Sequence, residues 1–139
     1  MSTQTSVVTG VDFVCVPTQN LEASMDFYAD VLGMERSKVW QPPGGDPLGA
    51  EFEPGTVTIA LLDNDKLGIE FQANKVPIAL QVDDVEAARA ELKSRGVSFE
   101  ADTVDSGVCH MAYFSDPDGN ALMLHHRYAP PGERPSGGA

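Results

Sequence analysis

The feature that most constrains this chain is that its pattern is written twice. Asn20–Ser24, NLEAS, returns 64 residues on as DVEAA, Asp84–Ala88, and Phe13 aligns with Pro77 at the same offset. Gly33 returns as Gly96, and TVTIALLDN from Thr56 returns as GNALMLHHR from Gly119, now 63 residues on. The offset drops by one across the first helix, so that helix is one residue longer than its repeat. Self-similarity of this kind marks a repeated supersecondary unit. A chain of 139 residues has room for two such units sharing one core.

The unit itself can be read from periodicity. VDFVCVP, Val11–Pro17, is an apolar, β-branched run that predicts a strand. Asn20 stands at an N-cap position, Leu21, Met25, Tyr28 and Leu32 follow at helical spacing, and Gly33 stops the helix. RSKVW, LGAEFE and TVTIALLD predict three more strands, with the loop QPPGGDP, Gln41–Pro47, after the first and a Pro54-Gly55 turn before the last. The second copy runs PIALQV, a helix capped by Asp84 over Val85–Arg95, then VSFE, CHMAYF and ALMLHH, the last two joined by DPDGN. This is βαβββ twice. The expected fold is α+β: two tandem βαβββ modules whose sheets form a mixed, cupped surface with the helices outside. The boundaries are an extension over 1–10, the first module and its connecting loop over 11–75, the second module over 76–128, and a Pro- and Gly-rich tail over 129–139 expected to be mobile.

Twenty-one acidic residues against nine basic ones give a formal charge of −12. That argues against nucleic acid and anionic membranes as partners. It favours solubility and, as a sharper alternative, an attraction for cationic ligands. No apolar run reaches the ~20 residues needed to span a bilayer, and MSTQTSVVTG lacks the basic and apolar regions of a signal peptide. The expected location is the cytoplasm, with Cys15 and Cys109 reduced and half-buried in strands.

Three stretches, NLEASMDFYADVLGM, VDDVEAARAELKSRGV and FSDPDGNALML, in this order and on this doubled pattern, resemble the vicinal oxygen chelate superfamily of glyoxalases, bleomycin-resistance proteins and extradiol dioxygenases. The resemblance covers about Val11 to Tyr128. It implies an open cup that holds the ligand, and often a homodimer that completes it.

In the enzymes of that family the cup holds a divalent metal, with ligands from the first and last strands of each module. The corresponding positions here are Phe13, Ala60, Pro77 and Met123. None offers the imidazole or carboxylate that a hard or borderline ion needs. A shift of one position gives Val14, Leu61, Ile78 and Leu124, which is no better. Strand alternation turns Met123 and His125 to one face and His126 to the other, so the two adjacent histidines cannot clasp one ion. The orientation of His110 stays open. No metal, cofactor or catalytic residue is therefore expected.

What remains is an apolar cup. Its expected lining is Phe13, Cys15, Ala60, Pro77 and Met123, with Trp40 and Phe52 as aromatic walls and His125 at the rim. No nucleophile, base and orienting group converge there, and phosphate- and dinucleotide-binding fingerprints are missing. The metal-free relatives implied by the resemblance capture antibiotics in such a cleft. The expected function is metal-independent capture of a small hydrophobic, aromatic or cationic natural product. The alternative is a glyoxalase-like lyase, isomerase or dioxygenase with shifted ligands such as His110, His125 and Glu53.

Overall fold

The computed structural model describes residues 6–130 and contains two four-stranded sheets. The first unit is β1 (Phe13–Thr18), α1 (Leu21–Asp26), β2 (Glu35–Trp40), β3 (Gly49–Glu53) and β4 (Thr58–Asp63), followed by a short α2 (Asn64–Leu67). The second is β5 (Ile78–Gln81), α3 (Val85–Ser94), β6 (Val104–Asp105), β7 (Cys109–Ser115) and β8 (Ala121–Arg127). Strand order is β1-β4-β3-β2 in one sheet and β5-β8-β7-β6 in the other. In each, the first strand pairs parallel with the last and the remaining pairs are antiparallel. The doubled βαβββ order expected from the repeat is therefore observed.

The capping residues act as their spacing predicts. The Asn20 side chain accepts from the Ala23 amide and Asp84 accepts from the Ala87 amide. The odd residue of the first helix is also visible. After Asp26 the helix runs on as a π-helical turn, Phe27–Val31, in which the Leu32 amide donates to the Phe27 carbonyl at 3.0 Å. A one-residue insertion absorbed as a π-bulge accounts for the change of offset.

Two expectations are corrected. VSFE is not a strand: it makes one backbone bond to β7, Glu100 N to Tyr113 O at 3.0 Å, while Phe99 packs against Phe114. The edge strand is instead the two-residue β6. The stretch after β4, expected as connecting loop, holds α2: Asp63 caps it by accepting from the Lys66 amide, and Gly68 closes it at φ 72°. Residues 131–139 of the tail lie outside the described residues.

The helices cover one face of each sheet. Val16, Ala50, Phe52, Ile59 and Leu61 from the first sheet, with Ala112, Phe114, Leu122 and Leu124 from the second, form one buried cluster with Tyr28, Val85 and Leu92. The modules are joined by a buried polar clasp at the β7–β8 turn. Asp116 Oδ2 accepts from the Tyr28 hydroxyl and from Asn120 Nδ2, each at 2.8 Å. Asn120 also donates to the Pro17 carbonyl, and its Oδ1 accepts from the Asn74 amide, again at 2.8 Å. Asp118 accepts from the Gln19 amide and the Ser24 hydroxyl. Burial first, and then the Asp116 carboxylate, drive the Tyr28 hydroxyl far above its ordinary pKa, so it stays a donor.

Removing the Tyr28 hydroxyl with Tyr28→Phe should cost about 1 kcal/mol of stability, the ordinary worth of one hydrogen bond. Asn120→Ala should cost about 2–4 kcal/mol, because it leaves several buried partners unsatisfied. Urea unfolding measures both; an Asn120→Ala protein as stable as the wild type would show that the clasp does not hold the modules.

Candidate functional site

The uncovered face of the first sheet can be laid out from its register. Across β2, β3, β4 and β1, one row reads Trp40, Gly49, Leu62, Pro17, and the next reads Lys38, Glu51, Ala60, Cys15. The last row brings Thr58 beside Phe13, with Glu53 hydrogen-bonded to Thr58. Their neighbours Val16, Ala50, Phe52, Ile59 and Leu61 are buried under the helix, which fixes this as the opposite face.

Phe13 and Trp40 stand on the two outer strands at diagonally opposite corners of the sheet, three strand spacings (about 14 Å) apart across it and two rows apart along it. Their ring centroids nevertheless lie 6.4 Å apart with planes at 80°. The sheet is therefore cupped, and the two rings lean inward over its small central residues. Ala60 is fully buried on this face, whereas Phe13 stays 46% exposed. Gly49 makes the approach possible. A Cβ there would meet the Trp40 ring and the Leu62 side chain at 3.2 Å, and would press harder still on the Leu61 carbonyl.

The polar groups on this face differ in how far they are engaged. Glu53 accepts from the Ser37 and Thr58 hydroxyls, and these bonds hold its carboxyl below the usual range. Glu51 is half-buried and makes no ion pair and no side-chain hydrogen bond among the described residues. Cys15 is exposed rather than half-buried, and Cys109 is buried.

The second sheet presents a matching half. Ala79 pairs with Met123, Gln81 with His125, Met111 with His125, and Tyr113 with Met123. The Tyr113 hydroxyl lies 3.6 Å from the Met111 sulfur. Pro77 immediately precedes β5. His126 faces away, with Nδ1 3.1 Å from the Val82 carbonyl. His110 pairs with His126 on that same side. Its Nε2 is 3.4 Å from Asp105 and its ring stacks at 4.8 Å on Tyr128.

The expected lining thus splits into two groups, Phe13, Cys15, Trp40 and Ala60 on one sheet and Met123 and His125 on the other. Phe52 belongs to neither. It is fully buried beneath the helix, 6.0 Å from the Tyr28 ring, and is a core residue. The sequence reading missed Gly49 and Glu51, and the signal lay in the alternation of GAEFE, which turns the residues on either side of Phe52 outward. A cavity of about 960 Å³ between the modules is lined by none of the eight expected residues, although Glu53, Ala79 and Gln81 reach it from the sheets.

The donor set can be tested against the metal that the resemblance implies for its enzymes. Phe13, Ala60 and Met123 occupy the uncovered faces, and the one-step alternatives Val14, Leu61 and Leu124 turn to the helix side. Neither set suits a hard or borderline divalent ion. Among the described residues no three His, Cys, Asp or Glu side chains gather as ligands, so His110, His125 and Glu53 do not converge within one chain.

A family model described as the Glyoxalase/Bleomycin resistance protein/Dioxygenase superfamily matches residues 10–124. The antibiotic-binding protein TnmS3 from Streptomyces sp. CB03234 is 25% identical, with TM-score 0.73 over 88% of this chain and 99% of that one. A glyoxalase/bleomycin resistance protein/dioxygenase from Nocardioides is 26% identical, with TM-score 0.70 over 94% of this chain and 92% of its own. A lactoylglutathione lyase from Agrobacterium tumefaciens, 18% identical, shares the fold with TM-score 0.69 over 85% of this chain and 93% of its own. A search of curated proteins finds no match. No helix among the described residues is long and apolar enough to cross a membrane.

Gly49→Ala should push Trp40 off the sheet. The expected result is a red-shifted emission from this sole tryptophan and a loss of about 1–3 kcal/mol of stability. Unchanged emission and stability would mean that the ring does not rest on Gly49.

Proposed function

We propose that this chain, which belongs to the glyoxalase/bleomycin resistance protein/dioxygenase superfamily, is a metal-independent protein that captures an apolar, aromatic small molecule. The observation that carries this reading is the Phe13–Trp40 pair leaning over small residues on an otherwise open face. Two rings at an angle offer flat contact area and an edge, the geometry aromatic ligands use. The side chains at the positions of the family's metal ligands supply apolar surface instead of donors, which supports binding over metal-assisted chemistry. The likeness to TnmS3, described as an antibiotic-binding protein, supports a natural product as the ligand.

The same geometry supports a homodimer. Each sheet offers half of a cup, and Phe13, Cys15, Ala79 and Gln81 remain exposed on it. A second copy placing its own half opposite would enclose a ligand.

A thermal-shift screen against planar natural products and against divalent metals tests the reading. A ligand should raise the melting temperature by mass action, and metals should not. Trp40→Ala should weaken ligand binding by about 1–3 kcal/mol, and His126→Ala should leave it nearly unchanged. Stoichiometric zinc, iron, nickel or manganese in protein purified without chelators would overturn it. Light scattering should give twice the 14.8 kDa chain mass.

A further inference from the structure

We propose that the cavity of about 960 Å³ between the modules is a second binding site, separate from the concave face, and that it takes an uncharged aliphatic molecule such as a medium-chain alcohol.

The cavity lies at the end of the module junction that carries no polar clasp. Val57 and Ala88 line it, at the places that Asn120 and Ser24 hold in the other repeat. Asn120 and Ser24 fill their end with hydrogen bonds, whereas valine and alanine leave space. The walls come from both modules, Val14 and Ile59 from the first sheet and Leu80 and Leu124 from the second. The volume stands at the upper end of the roughly 300–1,000 Å³ of small-molecule sites.

The lining names the chemical class. Among the described residues no aromatic side chain lines this cavity, whereas the concave face presents Phe13 and Trp40. With no ring to stack against, a flat ligand gains nothing here beyond the area it buries. A hydrocarbon chain gains the same area and can follow an irregular aliphatic wall.

The polar groups around the cavity are already engaged. Glu53 accepts from Ser37 and Thr58. Arg95 donates from Nε to Glu91 at 3.2 Å and from Nη1 to the Val31 carbonyl at 2.8 Å, a bond that crosses from one module to the other beside the cavity. No buried side-chain nitrogen or oxygen among the described residues lacks a partner, so nothing inside calls for a polar ligand. Glu53, Asp83 and Glu91 outnumber Arg95 among the charged residues of the lining. A carboxylate head would lose hydration and meet like charges. A hydroxyl head can stay at the margin, where Glu91 and Arg95 reach solvent.

The test is calorimetry with 1-hexanol, 1-octanol and octanoate near neutral pH, where octanoate is ionised. Affinity should rise about three- to fourfold per added methylene, the worth of burying one CH₂. Octanol should bind about tenfold more tightly than octanoate. Ala88→Phe on α3 and Val57→Phe just before β4 each put a ring into the cavity, and each should weaken octanol about tenfold. Unfolding midpoints show which variants are folded, and the chain-length and head-group comparisons in the wild type depend on neither. Trp40→Ala should keep octanol affinity within about twofold, since Trp40 does not line the cavity. Affinity that ignores chain length, octanoate as tight as octanol, octanol binding that survives both folded Phe variants, or its loss in Trp40→Ala would overturn the assignment. Light scattering that falls from two chains to one in Ala88→Phe would show that a second copy fills the cavity, which also overturns it. An absence of octanol binding overturns it too and leaves aromatic capture by the concave face standing.

Discussion

The arrangement of this molecule depends on one buried carboxylate. Asp116 organises its own turn by accepting from the Asp118 and Asn120 amides, each at 2.9 Å, and its second oxygen takes the Tyr28 hydroxyl from the other module. Asn120 then carries the link to the Pro17 carbonyl at the end of β1. In a buried setting each of these groups is costly to leave unpaired, so the set closes as a unit or not at all. The DPDGN motif is thus fully used by architecture. It orients one sheet against the other, and the positions of the two uncovered faces follow from it.

The repeat does not extend to this clasp. At the matching turn of the first module, Glu53 stands for Asp116 and Val57 for Asn120, while on the helix Ala88 stands for Ser24. Valine and alanine cannot donate, and Glu53 is held by Ser37 and Thr58. These three residues line the cavity of about 960 Å³, whose remaining walls include Val14, Ile59, Leu80 and Leu124. Two copies of one topology therefore carry this polar clasp at one end only, with the shared core and a bond from Arg95 Nη1 to the Val31 carbonyl at 2.8 Å as the other links between them. The difference lies in three side chains, not in the backbone plan.

What was legible in the sequence was whatever local chemistry decides. The caps Asn20 and Asp84, the stops Gly33 and Gly96, and the βαβββ order follow from short patterns, and the change of offset gave the extra residue that the structure takes up as the π turn at Phe27. The misreadings were tertiary. VSFE has strand propensity, but Phe99 takes its place against Phe114 and under Arg89, which lies 4.9 Å from its ring, and that packing draws the segment out of the ladder. Phe52 looked like a wall of the site because it is aromatic and close to Trp40 in the chain. Which face of β3 the helix covers decides its role, and that depends on the packing of Tyr28. The inward lean of Phe13 and Trp40 depends on sheet curvature, which no strand pattern encodes.

Small residues at the centre of a curved sheet permit two incompatible designs. Long donor side chains there can converge on a metal ion, because curvature brings their ends together. With alanine at 60 and glycine at 49, the same curvature brings rings together from the outer strands instead. The two designs exclude each other sterically. Rings that meet 6.4 Å apart over Ala60 occupy the space that a glutamate or histidine at that position would need. The absence of donors at 13 and 60 and the presence of the Phe13–Trp40 corner are thus one structural choice.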